Sequence, residues 1–246
     1  MQLIPVLEIR HGQGVHTEPK NAFTMKVVND DPHEIIKYWI ASGINRIHIV
    51  DVDAIEQGEP VNVDLIDSLK SQFPSLGLQV SGGINSVESA FIYIDAGVDH
   101  LVLSSRVLKR ESLLVDICIE FENKVIMEVD TRNGMLGITS GSANEQTLQQ
   151  FSDELSGYGV DQLVVTDIPK SGHVNYKNIQ TVDIISSSSS LPIYVNGGIN
   201  SIDDLDFLLE NKPNNLSGIL LGKVIYNKKF NLASAVELLS RQQLAS

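Results

Sequence analysis

A single cysteine, Cys118, in a chain of 246 residues leaves no partner for an intramolecular disulfide and no thiolate cluster for a metal. It falls in LLVDICIEF (113–121), an apolar setting that favours a buried structural thiol over a nucleophile. Basic residues are also scarce. Eighteen Lys and Arg stand against 31 Asp and Glu, a formal net charge of −13, which argues against nucleic acid as a partner because phosphate-backbone binding needs clustered cations. No apolar run approaches the roughly 20 residues of a membrane span, and MQLIPVLEIR lacks the basic-then-apolar order of a signal peptide. The expectation is a cytoplasmic protein without membrane contact. Composition is otherwise that of an ordinary globular chain, 42% hydrophobic and 20% charged, and no boundary divides residues 1–246, so one domain is expected.

What is present in abundance is the short apolar run. Eight of them recur: LIPVLEI (3–9), RIHIVDV (46–52), LGLQVSG (76–82), HLVLSS (100–105), KVIMEVD (124–130), QLVVTDI (162–168), LPIYVNG (191–197) and GILLGK (218–223). Near-continuous apolar runs, as opposed to alternating ones, mark parallel strands buried on both faces. The stretches between them, PHEIIKYWIASG (32–43), VDLIDSLKSQF (63–73), SVESAFIYIDAG (86–97) and SIDDLDFLLENK (201–212), have helical periodicity, and several open on a capping Ser or Asp. Tyr38, Trp39 and Phe91 lie within these apolar patterns and read as packing residues. The low-complexity SSSSS (186–190) reads as a polar loop entering the seventh run. Eight βα units of about 30 residues predict an α/β TIM barrel, (β/α)8.

One string occurs twice: VSGGINS (80–86) ends the third run and VNGGINS (195–201) ends the seventh. The neighbours repeat at nearly the same interval. HIVD (48–51) matches VVTD (164–167), VLSS (102–105) matches LLGK (220–223), and the first and fifth runs each end near an acid, Glu8 and Asp130. The barrel therefore reads as two similar half-barrels. Barrel active sites lie at strand C-termini, and a Gly–Gly turn entering a helix offers backbone amides to an anion. Gly82 and Gly83 with Ser104 and Ser105 form one candidate phosphate cradle; Gly197 and Gly198 with Gly222 and Lys223 form the other. Two cradles at opposite edges of one mouth imply a small ligand with a phosphate at each end. Glu8 and Asp130 come from opposite strands and would face each other between them, where different environments can make one an acid and the other a base. An ion pair with Arg10 or Arg132 is the alternative use of either acid. His48 reads as a packed histidine, His173 as a loop histidine, and Asp203 and Asp204 as ordinary complements to a helix dipole.

At family level the residues resemble the isomerase and cyclase half-barrels of histidine biosynthesis. The likeness spans nearly the whole chain: IPVLE (4–8), Gly12, Val15, NDDP (29–32), IHIVDVDAIEQGEPVN (47–62), both GGIN turns, VDTRNG (129–134), VVTDI (164–168) and LGKVIYNKKF (221–230). EQGEPVN and GKVIYNKKF look more like the isomerases, which act on phosphoribosylformimino-aminoimidazole carboxamide ribotide. That resemblance implies an Amadori rearrangement of an aminoaldose to an aminoketose in a substrate with two ribose phosphates, by a cytoplasmic monomer without metal or cofactor. It implies Glu8 as the base and Asp130 as the proton donor, with Asp51, Thr166, Asp167 and Ser171 as supporting candidates.

The chain departs from the family pattern at four places. Glu8 stands where aspartate is usual, and His16 where the first loop usually has arginine. The usual Gly–Trp pair after the fifth strand falls in TSGS (139–142), on Ser140–Gly141 or Gly141–Ser142, with no aromatic ring. Ser171 replaces the aspartate of an Asp–Gly pair after the sixth strand. Two readings follow: the isomerase, or a diverged relative that holds a phosphorylated sugar or bis-phosphate with a different or lost activity.

Overall fold

The computed structural model describes residues 1–18, 21–29, 31–132, 135–136, 148–167, 189–212, 215–227 and 230–245. Its strands are β1 (Gln2–Arg10), β2 (Gln13–Glu18), β3 (Asn21–Asn29), β4 (Arg46–Asp51), β5 (Gly77–Ser81), β6 (His100–Ser104), β7 (Val125–Arg132), β8 (Met135–Leu136), β9 (Gln162–Asp167), β10 (Ile193–Asn196) and β11 (Leu216–Leu221). The described helices are α1 (Pro32–Ala41), α2 (Val52–Gln57), α3 (Val63–Gln72), α4 (Val87–Asp95), α5 (Glu111–Glu120), α6 (Leu148–Tyr158), α7 (Ile202–Glu210) and α8 (Leu232–Ala245). Short 3₁₀ turns follow β6 (Ser105–Arg110) and β11 (Lys223–Tyr226). Each of the eight apolar runs becomes a strand. They pair in parallel in the order β1-β4-β5-β6-β7-β9-β10-β11, and β11 pairs with β1 to close the ring. The fold is the expected TIM barrel.

The stretch after β1 differs from the expected loop, because β2 and β3 form an antiparallel hairpin beside it. Its cause is an uncovered strand edge. β11 pairs with β1 only from Gln2 to Pro5, so the last residues of β1, paired with β4 on one side as far as Ile9, have a free edge on the other, and β2 folds back to pair with Glu8 through Arg10. Tyr38 also departs from expectation. It is exposed, whereas its neighbour Trp39 is buried with Ile35 and Ile36, since adjacent helical residues point about 100° apart. Phe91 is partly exposed and packs edge-on against Phe121 at 4.8 Å. Cys118 is buried, and burial pushes its thiol up to about 11. The end of the serine run, at Ser189 and Ser190, is the polar entry to β10, and 186–188 lie outside the described residues.

Alternate residues of each strand face inward and outward. Outward-facing Leu3, Leu7, Ile47, Ile49, Leu78, Val80 and Met127 pack under the helices, while Ile4, Val6, Val102, Ile126, Val164, Tyr194 and Leu220 fill the interior. Below these lies a polar floor. Arg46 donates to the Gln162 amide oxygen at 3.0 Å and to the Tyr194 hydroxyl at 3.4 Å, and stacks its guanidinium 5.3 Å from the Tyr194 ring centre. Gly218 makes room for that ring, since a Cβ there would stand 2.6 Å from it. His48, buried between Gln79 and Ser81, is held down to about 3 by desolvation, with the Arg46 charge adding to it, and so is a neutral packed histidine.

Asp51 ties the upper loops together. Completely buried at the end of β4, it caps α2 through the Ala54 amide at 3.0 Å and accepts from the Asn62 amide (2.9 Å), the Asn62 side chain (2.7 Å), Tyr93 (3.0 Å) and the Val61 amide (3.3 Å). Asn62 passes the connection on. Its Nδ2 also donates to Asp53 at 2.9 Å and its Oδ1 accepts from the Gly12 amide at 3.1 Å, which pins the turn after β1 to the loop after α2. Burial works against ionisation of Asp53, but hydrogen bonds from Asn62 and the His11 amide outweigh it and hold the carboxyl below its ordinary range. Because each buried donor left without an acceptor costs about 1–3 kcal/mol, Asp51→Ala is expected to lower stability by at least about 3 kcal/mol in urea unfolding. Retention of wild-type stability would remove Asp51 from this role.

Candidate active site

The duplicated string folds the same way twice. Gly82 and Gly83 have φ of 113° and 67°, Gly197 and Gly198 have 82° and 78°, and each pair leads into a helix capped by serine. Ser86 and Ser201 share almost the same backbone geometry, φ/ψ of −154°/168° and −149°/168°, and each side chain accepts from the amide three residues on. The surroundings of the two turns differ. A Cβ on Gly82 would lie 2.4 Å from the Asp51 carbonyl oxygen and one on Gly83 2.6 Å from the Glu59 carbonyl carbon, so the loops held by Asp51 press directly on the first turn. Around Gly197 and Gly222 a Cβ would meet nothing within 4 Å.

Strand adjacency brings the expected partners together. β5 lies beside β6, and a cavity of about 400 Å³ is lined by Gly82, Gly83, Ser104 and Ser105. Arg106 and Arg110 line it as well, and Arg110 donates to the Asn85 carbonyl at 2.9 Å, stapling the 3₁₀ turn to the glycine turn. At the second edge β10 and β11 are in register to Asn196 and Leu220, so Gly197 and Gly198 emerge next to Gly222 and Lys223. Each candidate cradle thus has cationic side chains, Arg106 and Arg110 in one and Lys223 in the other.

Glu8 and Asp130 lie on strands four places apart in the ring of eight, which sets them on opposite walls. Both follow the inward alternation, Ile4–Val6–Glu8 on β1 and Ile126–Glu128–Asp130 on β7, and both stand at the end of the barrel where the glycine turns lie. Arg10 engages Glu56 at 2.9 Å. Tyr226, from the 3₁₀ turn beyond Lys223, donates to the Val6 carbonyl at 3.1 Å and stacks on His16 at 5.8 Å between ring centres. Burial raises the Tyr226 hydroxyl above its ordinary range, and the nearby charge of Glu8 adds to this. On the other wall Asp130, although exposed at the cavity mouth, is raised by the protein packed around it. Glu128, one step deeper, is raised by desolvation first and by the Asp130 charge second, against a hydrogen bond from Asn196 at 3.4 Å.

Among the supporting candidates, Thr166 is half-buried and in register with Asp130, and Asp167 ends β9 in register with Thr131. Asp51 is a buried fastening outside the lining of the cavity. Ser171, Gly141 with Ser140 and Ser142, His173 and the side chain of Arg132 lie outside the described residues. Sequence reasoning passed over Arg106, Arg110, Glu128, Asn196 and Tyr226. Glu128 had a visible signal, since in IMEVD it shares the two-residue period of Ile126 and Asp130. Among the described residues no group of three or more His, Cys, Asp and Glu side chains could hold a metal ion, and no helix is long and apolar enough to cross a membrane.

Comparison with known proteins finds relatives over nearly the whole chain. A protein from Nitrosococcus oceani is 27% identical over 98% of this chain and 97% of its own length. One from Ruthia magnifica is 30% identical over 96% and 97%, and one from Pseudomonas syringae pv. tomato 30% over 99% and 100%. All three are named as isomerases of an imidazole-4-carboxamide that carries a phosphoribosyl and a phosphoribosylamino group. The model of the family described as "Histidine biosynthesis protein" matches residues 2–231, and the chain belongs to that family.

Proposed function

We propose that this protein is an isomerase of histidine biosynthesis, catalysing the Amadori rearrangement of an aminoimidazole carboxamide ribotide that carries two phosphates. The single observation that carries the reading is the pair of serine-capped Gly–Gly turns at opposite edges of one barrel mouth, with two inward carboxyls on opposite walls between them. A ligand with an anion at each end fits that frame, its central sugar then lying between the acids. The net charge of −13 fits a small-molecule substrate better than a nucleic acid.

In this reading Asp130 gives a proton to the ring oxygen of the aminoaldose as the C1–O bond breaks, and the nitrogen lone pair forms the C=N bond. Glu8 takes the proton from C2. The enaminol so formed becomes the aminoketose when Glu8 returns its proton to C1 and the enol proton passes back to Asp130. Both carboxyls end as they began, and the net change is isomerisation. A raised Asp130 suits the donor role, because an acid must still hold its proton at the working pH. Glu8 is one methylene longer than the usual aspartate, and it approaches the sugar from a strand end fastened to Tyr226 through the Val6 carbonyl.

The diverged-relative reading is not favoured, since the relatives that bear the isomerase name match almost end to end. Turnover of the ribotide by the purified protein, and rescue of an isomerase-deficient strain, are the direct tests; absence of both would overturn the proposal. Glu8→Gln and Asp130→Asn are each expected to lower kcat by at least about a hundredfold with KM little changed, the usual weight of a general acid or base. Lys223→Ala is expected to raise KM about tenfold or more with kcat nearly constant, the signature of a lost charge-assisted contact made equally in ground and transition states. An unchanged KM would remove Lys223 from the phosphate cradle.

A further inference from the structure

Strand β7 carries one carboxyl more than the proposed chemistry uses. Ile126 belongs to the apolar interior cluster, Asp130 reaches the mouth, and Glu128 points inward between them. Among the described strand residues, the partners in register are Ser104 and Val164 for Glu128 and Thr166 for Asp130, all of them uncharged. Among the described residues Glu128 accepts a hydrogen bond from a neutral donor, Asn196 on β10, at 3.4 Å. Glu128 and Asp130 line the same cavity, whose remaining charged side chains are Arg106 and Arg110. Two carboxylates so placed cannot both ionise without cost, because water is largely excluded at the inner one and the charges are alike.

We propose that Glu128 is a positioning residue for the isomerisation: it forms a carboxyl pair with Asp130 that keeps one proton between the two side chains, so that Asp130 remains a proton donor where a lone exposed aspartate is ionised. This rests on the reading of Asp130 as the donor. The directions of both acids agree with the pairing, each being raised by desolvation and Glu128 further by the charge of Asp130. The Asn196 bond acts the other way on Glu128. Asp167, the next titratable group on β9, is in register with Thr131 and with neither acid.

A pair coupled in this way loses its protons in two steps that belong to both residues. The expected result in the wild-type protein is therefore a two-step titration of the Asp130 carboxyl carbon, followed by carbon-13 NMR. Glu128→Gln keeps an acceptor oxygen for Asn196 but removes the shared proton. In that variant Asp130 is expected to titrate in one step, and the alkaline limb of kcat/KM against pH to move to lower pH, while the plateau on the acid side stays within about threefold of wild type. Glu128→Asp is expected to bring the limb back towards its wild-type position. A merely structural glutamate would lower the plateau and leave the limb in place. A single-step titration of Asp130 in the wild-type protein, or the same titration in wild type and Glu128→Gln, would overturn the proposal. If the protein fails to turn over the ribotide, the functional reading falls, and the carboxyl titration still decides whether the pair exists.

Discussion

Closure of the strand ring through the β11–β1 pair is the constraint on which everything else in this molecule depends. Once eight parallel strands close, every strand has an inner face from which water is progressively excluded, and each inward position has a height above the floor. At the lowest level polar groups pair with one another: Arg46 with Gln162 and Tyr194, then His48 with Gln79 and Ser81. Apolar side chains fill the next level. Among the described residues, inward carboxyls stand at Glu8, Glu128 and Asp130, above the apolar level, because burying an ionised carboxylate deeper costs its hydration. The strand C-termini are the end at which the strands deliver both the acids and the glycine turns.

The barrel could be read in the sequence because a parallel strand buried on both faces leaves an almost unbroken apolar run, and eight such runs at regular spacing have few other arrangements. The doubled turn could be read for a related reason. Positive φ at adjacent glycines followed by a capping serine is a local requirement, so Gly82–Gly83–Ser86 and Gly197–Gly198–Ser201 carry their conformation in their own residues. What escaped were features decided by partners distant in the chain. The β2–β3 hairpin exists because β11 stops pairing at Pro5, and Tyr226 matters because its turn returns it to the Val6 carbonyl 220 residues away. Glu128 escaped for a different reason: it shares the two-residue period of Ile126 and Asp130, but a lone acid within an apolar run resembles an interruption.

Duplication of the half-barrel supplies a symmetric frame, but the contacts made around it are not symmetric. The Asp51 network presses loops onto the first glycine turn until a Cβ could not be accommodated, while the space beside Gly197 is open. Asp51 and Asp167 occupy equivalent places in the repeat, yet Asp51 is fully buried under five hydrogen bonds that hold the first half's loops. The duplicated frame is thus closely packed at one edge and open at the other.

The same asymmetry resolves how two similar carboxyls can take opposite roles. Repetition alone would place an acid at the end of the first strand of each half with nothing to distinguish them. The distinction comes from what each half packs beside its acid. Asp130 shares its wall with Glu128, and the protein packed around it strips its water, which favours its neutral form. Glu8 stands beside Tyr226, whose hydroxyl is already committed to the Val6 carbonyl and kept protonated by burial, so the tyrosine adds no competing charge near the base. In the proposed isomerisation the donor and acceptor of protons would then differ through neighbours contributed from β7 and from the turn after β11, which would make a symmetric scaffold directional.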